Sequence, residues 1–423
     1  MRSLFIKIKH SIIQREFAKN VLTLLLGTLG AQLIPLLFSP ILTRLYSPDQ
    51  FGTFALFIAL SSSIVTLASM RYELAILLPK SNTHAYYLFY LSIVTILITT
   101  GITAIVGSLF QTELGQLLKN TALEPYLGYL FISVFFAGLI QPISYWQLRQ
   151  KNFTLLSRNK LQQSFLSNIL QLLFGCWKTT SSAFGLIVGL IISQIVSIWF
   201  LRKKNMYSTI RPTLLQLYVI AKKYKNLPLL NGSNAIIDSI RINGINILIA
   251  LFFSSSTLGQ FALAWRMVQA PISLINGAIS QVSFQKASTL KPEKIFYFAL
   301  SSIKNSALAG IIPFTIIYFY SPSIFPLIFG PKWVLAGEIA QILTPWLYLN
   351  LITSPLSTLF IVIEKQLPAL IFSIIYAIVP LTIIYLYNSN ILQALTYSSH
   401  AMTLLLLFYI VMVLYLTKKH SQC

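Results

Sequence analysis

Long apolar stretches recur along this chain, and the loops between them alternate between basic and nearly uncharged. About 12 stretches reach roughly 20 residues, the length that crosses a hydrocarbon core of ~30 Å as a helix. The seven segments on one side of the pattern, both termini included, hold 25 of the 31 Lys and Arg. The six on the other side hold only Arg44, Lys119, Lys178 and Lys332. Lys and Arg stay on the cytoplasmic side of a membrane, so the asymmetry orients the chain with both termini in the cytoplasm. Two cations are left over, Arg241 and Arg266, and both fall inside predicted helices.

A chain of 423 residues that is 56% hydrophobic and 9% charged has far more apolar surface than a soluble core needs. The expected fold class is therefore all-α, a polytopic membrane protein of about 12 transmembrane helices. The net charge of +22 is spread over loops beside anionic headgroups, which points to membrane lipids as a partner and away from nucleic acid. Cys176 and Cys423 suggest no disulfide framework or metal site. The basic N-terminus before Val21–Leu42 begins like a signal peptide, but the apolar run is too long for one. It is expected as a retained first helix.

The spans expected from hydropathy are 20–42, 51–70, 85–107, 122–145, 161–177, 181–201, 231–253, 258–283, 297–320, 337–362, 367–387 and 391–416. Between the sixth and seventh lies the longest basic connection, Arg202 to Lys225, with seven Lys and Arg. Its Tyr218–Tyr224 stretch is amphipathic enough to lie on a membrane surface. A repeat supports a division there. Phe51-Gly52-Thr53-Phe54-Ala55-Leu56 opens the second helix and Leu258-Gly259-Gln260-Phe261-Ala262-Leu263 opens the eighth, 207 residues later. We expect two parallel six-helix lobes around a central cavity: 1–201, a linker at 202–230, and 231–423.

A charge at mid-bilayer depth costs ~2.5–3.5 kcal/mol even on the lenient insertion scale, so it faces a bundle interior or a wet cavity. At about 100° per residue, Asn231, Asn234, Asp238 and Arg241 share one face of the seventh helix. Arg266, Gln269, Ser273, Asn276 and Ser280 share one face of the eighth. Two consecutive polar stripes read as a cationic cleft, with guanidinium forks suited to phosphate oxygens. The alternative is an Asp238–Arg241 pair that neutralises itself, with the amides joining helices. The fifth helix, with Gln162, Gln163, Asn168 and Gln171, is expected to line something polar. Asp238, Glu73 and Arg71 are candidates for ion coupling or gating; if the second helix continues, Glu73 joins Ser62, Thr66 and Ser69 on one face. No phosphate-cradling loop, metal-ligand spacing or catalytic triad is visible, so neither cofactor nor enzymatic chemistry is expected.

Several motifs resemble the Wzx-type oligosaccharide flippases of the MOP exporter superfamily. They include Asn20–Thr23 to Gln32–Pro35, Ser39-Pro40-Ile41-Leu42-Thr43-Arg44-Leu45-Tyr46 and Phe51-Gly52. Arg71-Tyr72-Glu73-Leu74-Ala75, Leu258-Gly259 through Arg266 and Pro271, and Phe329-Gly330-Pro331-Lys332-Trp333 complete the set. The resemblance implies a flippase in the bacterial inner membrane that moves undecaprenyl-pyrophosphate-linked oligosaccharide for O-antigen-like surface polysaccharide. It also implies a cationic cavity, matched here by Arg241 and Arg266, and a polysaccharide polymerase with chain-length machinery as partners. A cation–drug antiporter of the same superfamily would want acidic residues in that cavity. A membrane polymerase or glycosyltransferase would want carboxylates on a large exterior loop, and none is present.

Overall fold

Apolar segments of this length satisfy their backbone hydrogen bonds internally only as helices, and helices are what form. The computed structural model describes residues 2–177, 182–202, 212–287, 290, 292–363 and 365–422, without side chains for 2–21, 230, 234, 274–287, 292, 358, 361, 362, 366 and 422. Twelve long helices are present among them. The first six are α1 (Arg2–Leu45), α2 (Pro48–Ala68), α3 (Asn82–Leu109), α4 (Leu130–Arg149), α5 (Phe153–Cys176) and α6 (Phe184–Leu201). The second six are α7 (Gly232–Phe252), α8 (Ser255–Ala287), α9 (Pro292–Phe329), α10 (Val334–Thr353), α11 (Gln366–Leu386) and α12 (Ile391–Gln422). Nine are long and apolar enough to cross a membrane by length and composition alone. The three that fall short, α5, α8 and α10, carry polar residues that the interior uses. Several helices outrun the expected spans, because hydropathy marks the hydrocarbon-embedded part while the helix continues beyond it.

In the first lobe α1 packs on α5, α5 on α6, α6 on α4, and α4 on both α2 and α3. In the second, α10 packs against α8, α9 and α12, while α11 bridges α7 and α12. The lobes meet mainly where α2 crosses α8 and α7, with α1 against α8. The repeated glycines make the first crossing close. A Cβ on Gly52 would overlap the Ser255 carbonyl, and one on Gly259 would overlap the Pro48 carbonyl. The same end is held by Trp333, which is fully buried: its indole Nε1 donates to the Thr43 carbonyl at 3.0 Å and its ring stands edge-on to Phe51. The turn that delivers Trp333 pivots on Gly330, whose φ of +104° suits a residue without Cβ. Gln260, also in the repeat, donates to the Lys332 carbonyl at 2.6 Å and accepts from the Ala336 amide at 2.9 Å.

The opposite end, the linker end, carries the segment that joins the lobes. There α2 stops at Ala68, and Met70 and Arg71 adopt φ of +48° and +61°. A helix cannot continue through two left-handed residues. The condition under which Glu73 would join Ser62, Thr66 and Ser69 on one face, a continuous second helix, is thus not met, and a 3₁₀ turn, Tyr72–Leu77, follows instead. Arg149 ties this turn to the rest of the lobe, donating to the Ile76 carbonyl at 3.0 Å. The linker itself contains a helix, Leu214–Lys223, started by a capping box between Thr213 and Gln216.

Candidate functional site

Polar side chains brought into an apolar bundle must bond one another or face water, and here many face one space. Two adjoining cavities of about 470 and 400 Å³ lie between the lobes and share Ala31, Gln32, Pro35, Ile58 and Arg266 in their walls. Arg266, half-buried on α8, stands where they meet. Among the described residues it has no hydrogen bond and no ion pair. One turn on, Gln269 lines the same space and its Oε1 is buried without a partner. Asn246 of α7 and Ser273 of α8 complete this wall.

The facing wall is built by α5. Lys160, Gln163, Ser164, Ser167, Asn168 and Gln171 recur at three- and four-residue spacing, so they form one stripe, and all line the cavity. The stripe is fastened to its neighbours. Ser164 Oγ donates to the Ala31 carbonyl at 2.6 Å, and Gln171 Nε2 donates to the Leu186 carbonyl at 3.0 Å. Lys160 Nζ donates to Thr28 Oγ1 at 2.9 Å, which spans the gap to α1. Among the described residues, the walls of the two cavities thus carry two cations, one from each lobe, and no carboxylate. A space of that kind attracts an anion with several oxygens.

Lys160 was missed by sequence reasoning, which counted it among the loop cations. The expected fifth span began at 161, whereas α5 begins at Phe153. The stripe itself held the signal: extending its spacing one turn back from Ser164 reaches Lys160.

Arg241 pairs with Asp238 at 3.1 Å, with side chains 39% and 64% exposed, and neither lies in the cavity walls described above. The structure therefore brings Arg266 and Gln269 together but not Arg241 with them. Asn231 is exposed at the start of α7. The side chains of Asn234 and Asn276 lie outside the described residues. Glu73 is turned inward at 1% exposure, accepts a hydrogen bond from Ser69 Oγ, and stands 3.7 Å from Arg71. Burial pushes its carboxyl above the ordinary 4.5, against the opposing pull of the Ser69 bond, its own backbone N–H and the Arg71 charge.

The fold is similar to that of solved transporters. An inward-facing multidrug resistance MATE family transporter of the MOP superfamily superimposes with a TM-score of 0.65 at 17% identity, covering 92% of this chain and 95% of that one. The lipid II flippase MurJ, in an inward closed conformation, gives 0.74 at 14% identity, covering 93% and 90%. A MOP superfamily transporter from Pyrococcus furiosus, described as having a binding pocket of reversed polarity, gives 0.58 at 14% identity, covering 96% of each chain. At these identities the likeness shows the fold. No curated protein matches the sequence. A family model described as polysaccharide biosynthesis protein matches residues 41–337, about 70% of the chain, and the chain belongs to that family.

Proposed function

We propose that this chain is a flippase carrying undecaprenyl-pyrophosphate-linked oligosaccharide from the cytoplasmic to the outer leaflet of a bacterial inner membrane, with both termini cytoplasmic. One observation carries the reading: among the described residues, an unpartnered Arg266 faces Lys160 across a cavity whose walls hold no carboxylate. A pyrophosphate offers oxygens to both, and charge-assisted bonds offset part of its lost hydration. Gln32, Gln163, Asn168 and Gln269 accommodate sugar hydroxyls, while the prenyl chain stays in lipid. Asn231, Asn234, Arg241 and Asn276 meet the substrate elsewhere on its path. The membership in a polysaccharide biosynthesis family and the likeness to a lipid II flippase support this substrate class.

Rocking of the lobes 1–201 and 231–423 about the 202–230 linker then exposes the cavity to the other side. Asp238, and Glu73 with Arg71, are the coupling or gating groups. The test is translocation of a fluorescent lipid-linked diphosphate oligosaccharide in proteoliposomes, with surface polymer measured in cells. Arg266→Ala is expected to abolish both at normal protein level. Retained transport, or transport of a lipophilic cation in place of the lipid, overturns the proposal.

A further inference from the structure

The linker helix Leu214–Lys223 exposes an unusual face. Leu217 and Ile220 are buried in a cluster with Tyr86, Phe89, Trp146 and Leu201. Those residues all sit at the linker ends of α3, α4 and α6, so the helix is held at the height where the apolar spans emerge. On its other side Leu214 is 86% exposed, more than any other large apolar side chain among the described residues, and Leu215, Tyr218 and Val219 are exposed with it. Its last turn and the residues beyond it expose Lys222, Lys223 and Lys225. The whole segment 202–231 contains no Asp or Glu.

We propose that this helix docks on an anionic lipid leaflet, its leucines among the upper acyl chains and its lysines on the headgroup phosphates. Three observations select lipid over a protein partner. The helix is fixed level with the ends of membrane-crossing helices. Its apolar groups precede a purely basic turn, with Tyr218 and Tyr224 at the boundary, as amphipathic rings sit at a membrane interface. Unopposed lysines complement the negative surface of a leaflet. Since Leu217 and Ile220 fasten the helix to the first lobe, the anchor holds that lobe and leaves α7 to lead the second. The inference does not depend on which substrate is carried.

The test uses the full chain with Cys176→Ser and Cys423→Ser, spin-labelled singly at Leu215→Cys, Val219→Cys or, as the control, Gln216→Cys. Each is reconstituted in vesicles of phosphatidylcholine alone or of equal parts phosphatidylcholine and phosphatidylglycerol. In the mixed vesicles, labels at 215 and 219 are expected to favour oxygen over a water-soluble nickel chelate severalfold more than the label at 216. That preference falls in phosphatidylcholine alone, and falls in the mixed vesicles when Lys222, Lys223 and Lys225 are all changed to Gln. Equal preference in both compositions overturns the assignment to anionic lipid. Free access of the chelate to 215 and 219 overturns docking altogether. Shielding from both reagents in native membranes but not in vesicles makes the occupant a protein and overturns it too.

Discussion

Arg266 and Lys160 do different physical work. A guanidinium presents a rigid fork that meets two oxygens at once, whereas an ammonium on a flexible stem acts as a point charge. A charge-assisted hydrogen bond contributes about 1.5–3 kcal/mol, so each one lost weakens binding by roughly a factor of ten or more. Arg266→Ala is accordingly expected to weaken binding of a soluble diphosphate-sugar by at least that factor, measured by titration calorimetry in detergent. Arg266→Lys should fall between wild type and Ala; a Lys variant as weak as Ala would show that charge contributes nothing there. Lys160→Gln should cost less, and its effect should shrink at high salt, because Lys160 lies in the more exposed part of the cavity. Glu73 makes a separate prediction. Its native carboxyl titrates above 4.5, so the folded state binds more protons than the unfolded one, and stability falls as pH rises through that window. Glu73→Gln should flatten this slope in thermal unfolding monitored from mildly acidic to neutral pH. An unchanged slope would place the titration elsewhere.

At the scale of elements, the crossing of α2 over α8 has the least room. Gly52→Ala puts a methyl group against a carbonyl oxygen of the backbone, which cannot rotate away as a side chain could. Overpacking of this kind costs about 1–3 kcal/mol. The expected outcome is a lower unfolding midpoint in detergent, with Gly259→Ala behaving alike; an undisturbed midpoint in both would mean that the crossing yields freely. The existence and order of the twelve helices were legible because apolar length is a property of the chain itself. Where helices begin and end was less so. The left-handed Met70 and Arg71 carry no glycine or proline to announce them, and α5 starts in a polar stretch that hydropathy assigns to a loop. Helical spacing places residues on a common face but does not name the neighbour across from it. That is why Arg266 and Gln269 appear together in the cavity while Arg241, assigned to the same cleft by the same reasoning, pairs with Asp238 beyond its walls.

At the scale of the whole molecule, two lobes are held by a broad seam and by Trp333 reaching from the second lobe to Thr43 of the first. Fragments cut within 203–211 and produced together should therefore co-purify through a tag on one of them. Recovery of the tagged half alone would show that the covalent tether, and not the seam, keeps the lobes together. The contact at Gly52 and Gly259 has a reciprocity that reaches further. Each glycine abuts the turn that precedes the other, Ser255 in one direction and Pro48 in the other. Like meeting like in this way is what a two-fold axis produces between identical partners. A half-length ancestor joined to its own twin across that axis would have enclosed a vestibule with matching walls. Fusion into a single polypeptide would then free the walls to diverge, one presenting a guanidinium and the other an amine to whatever passes between them.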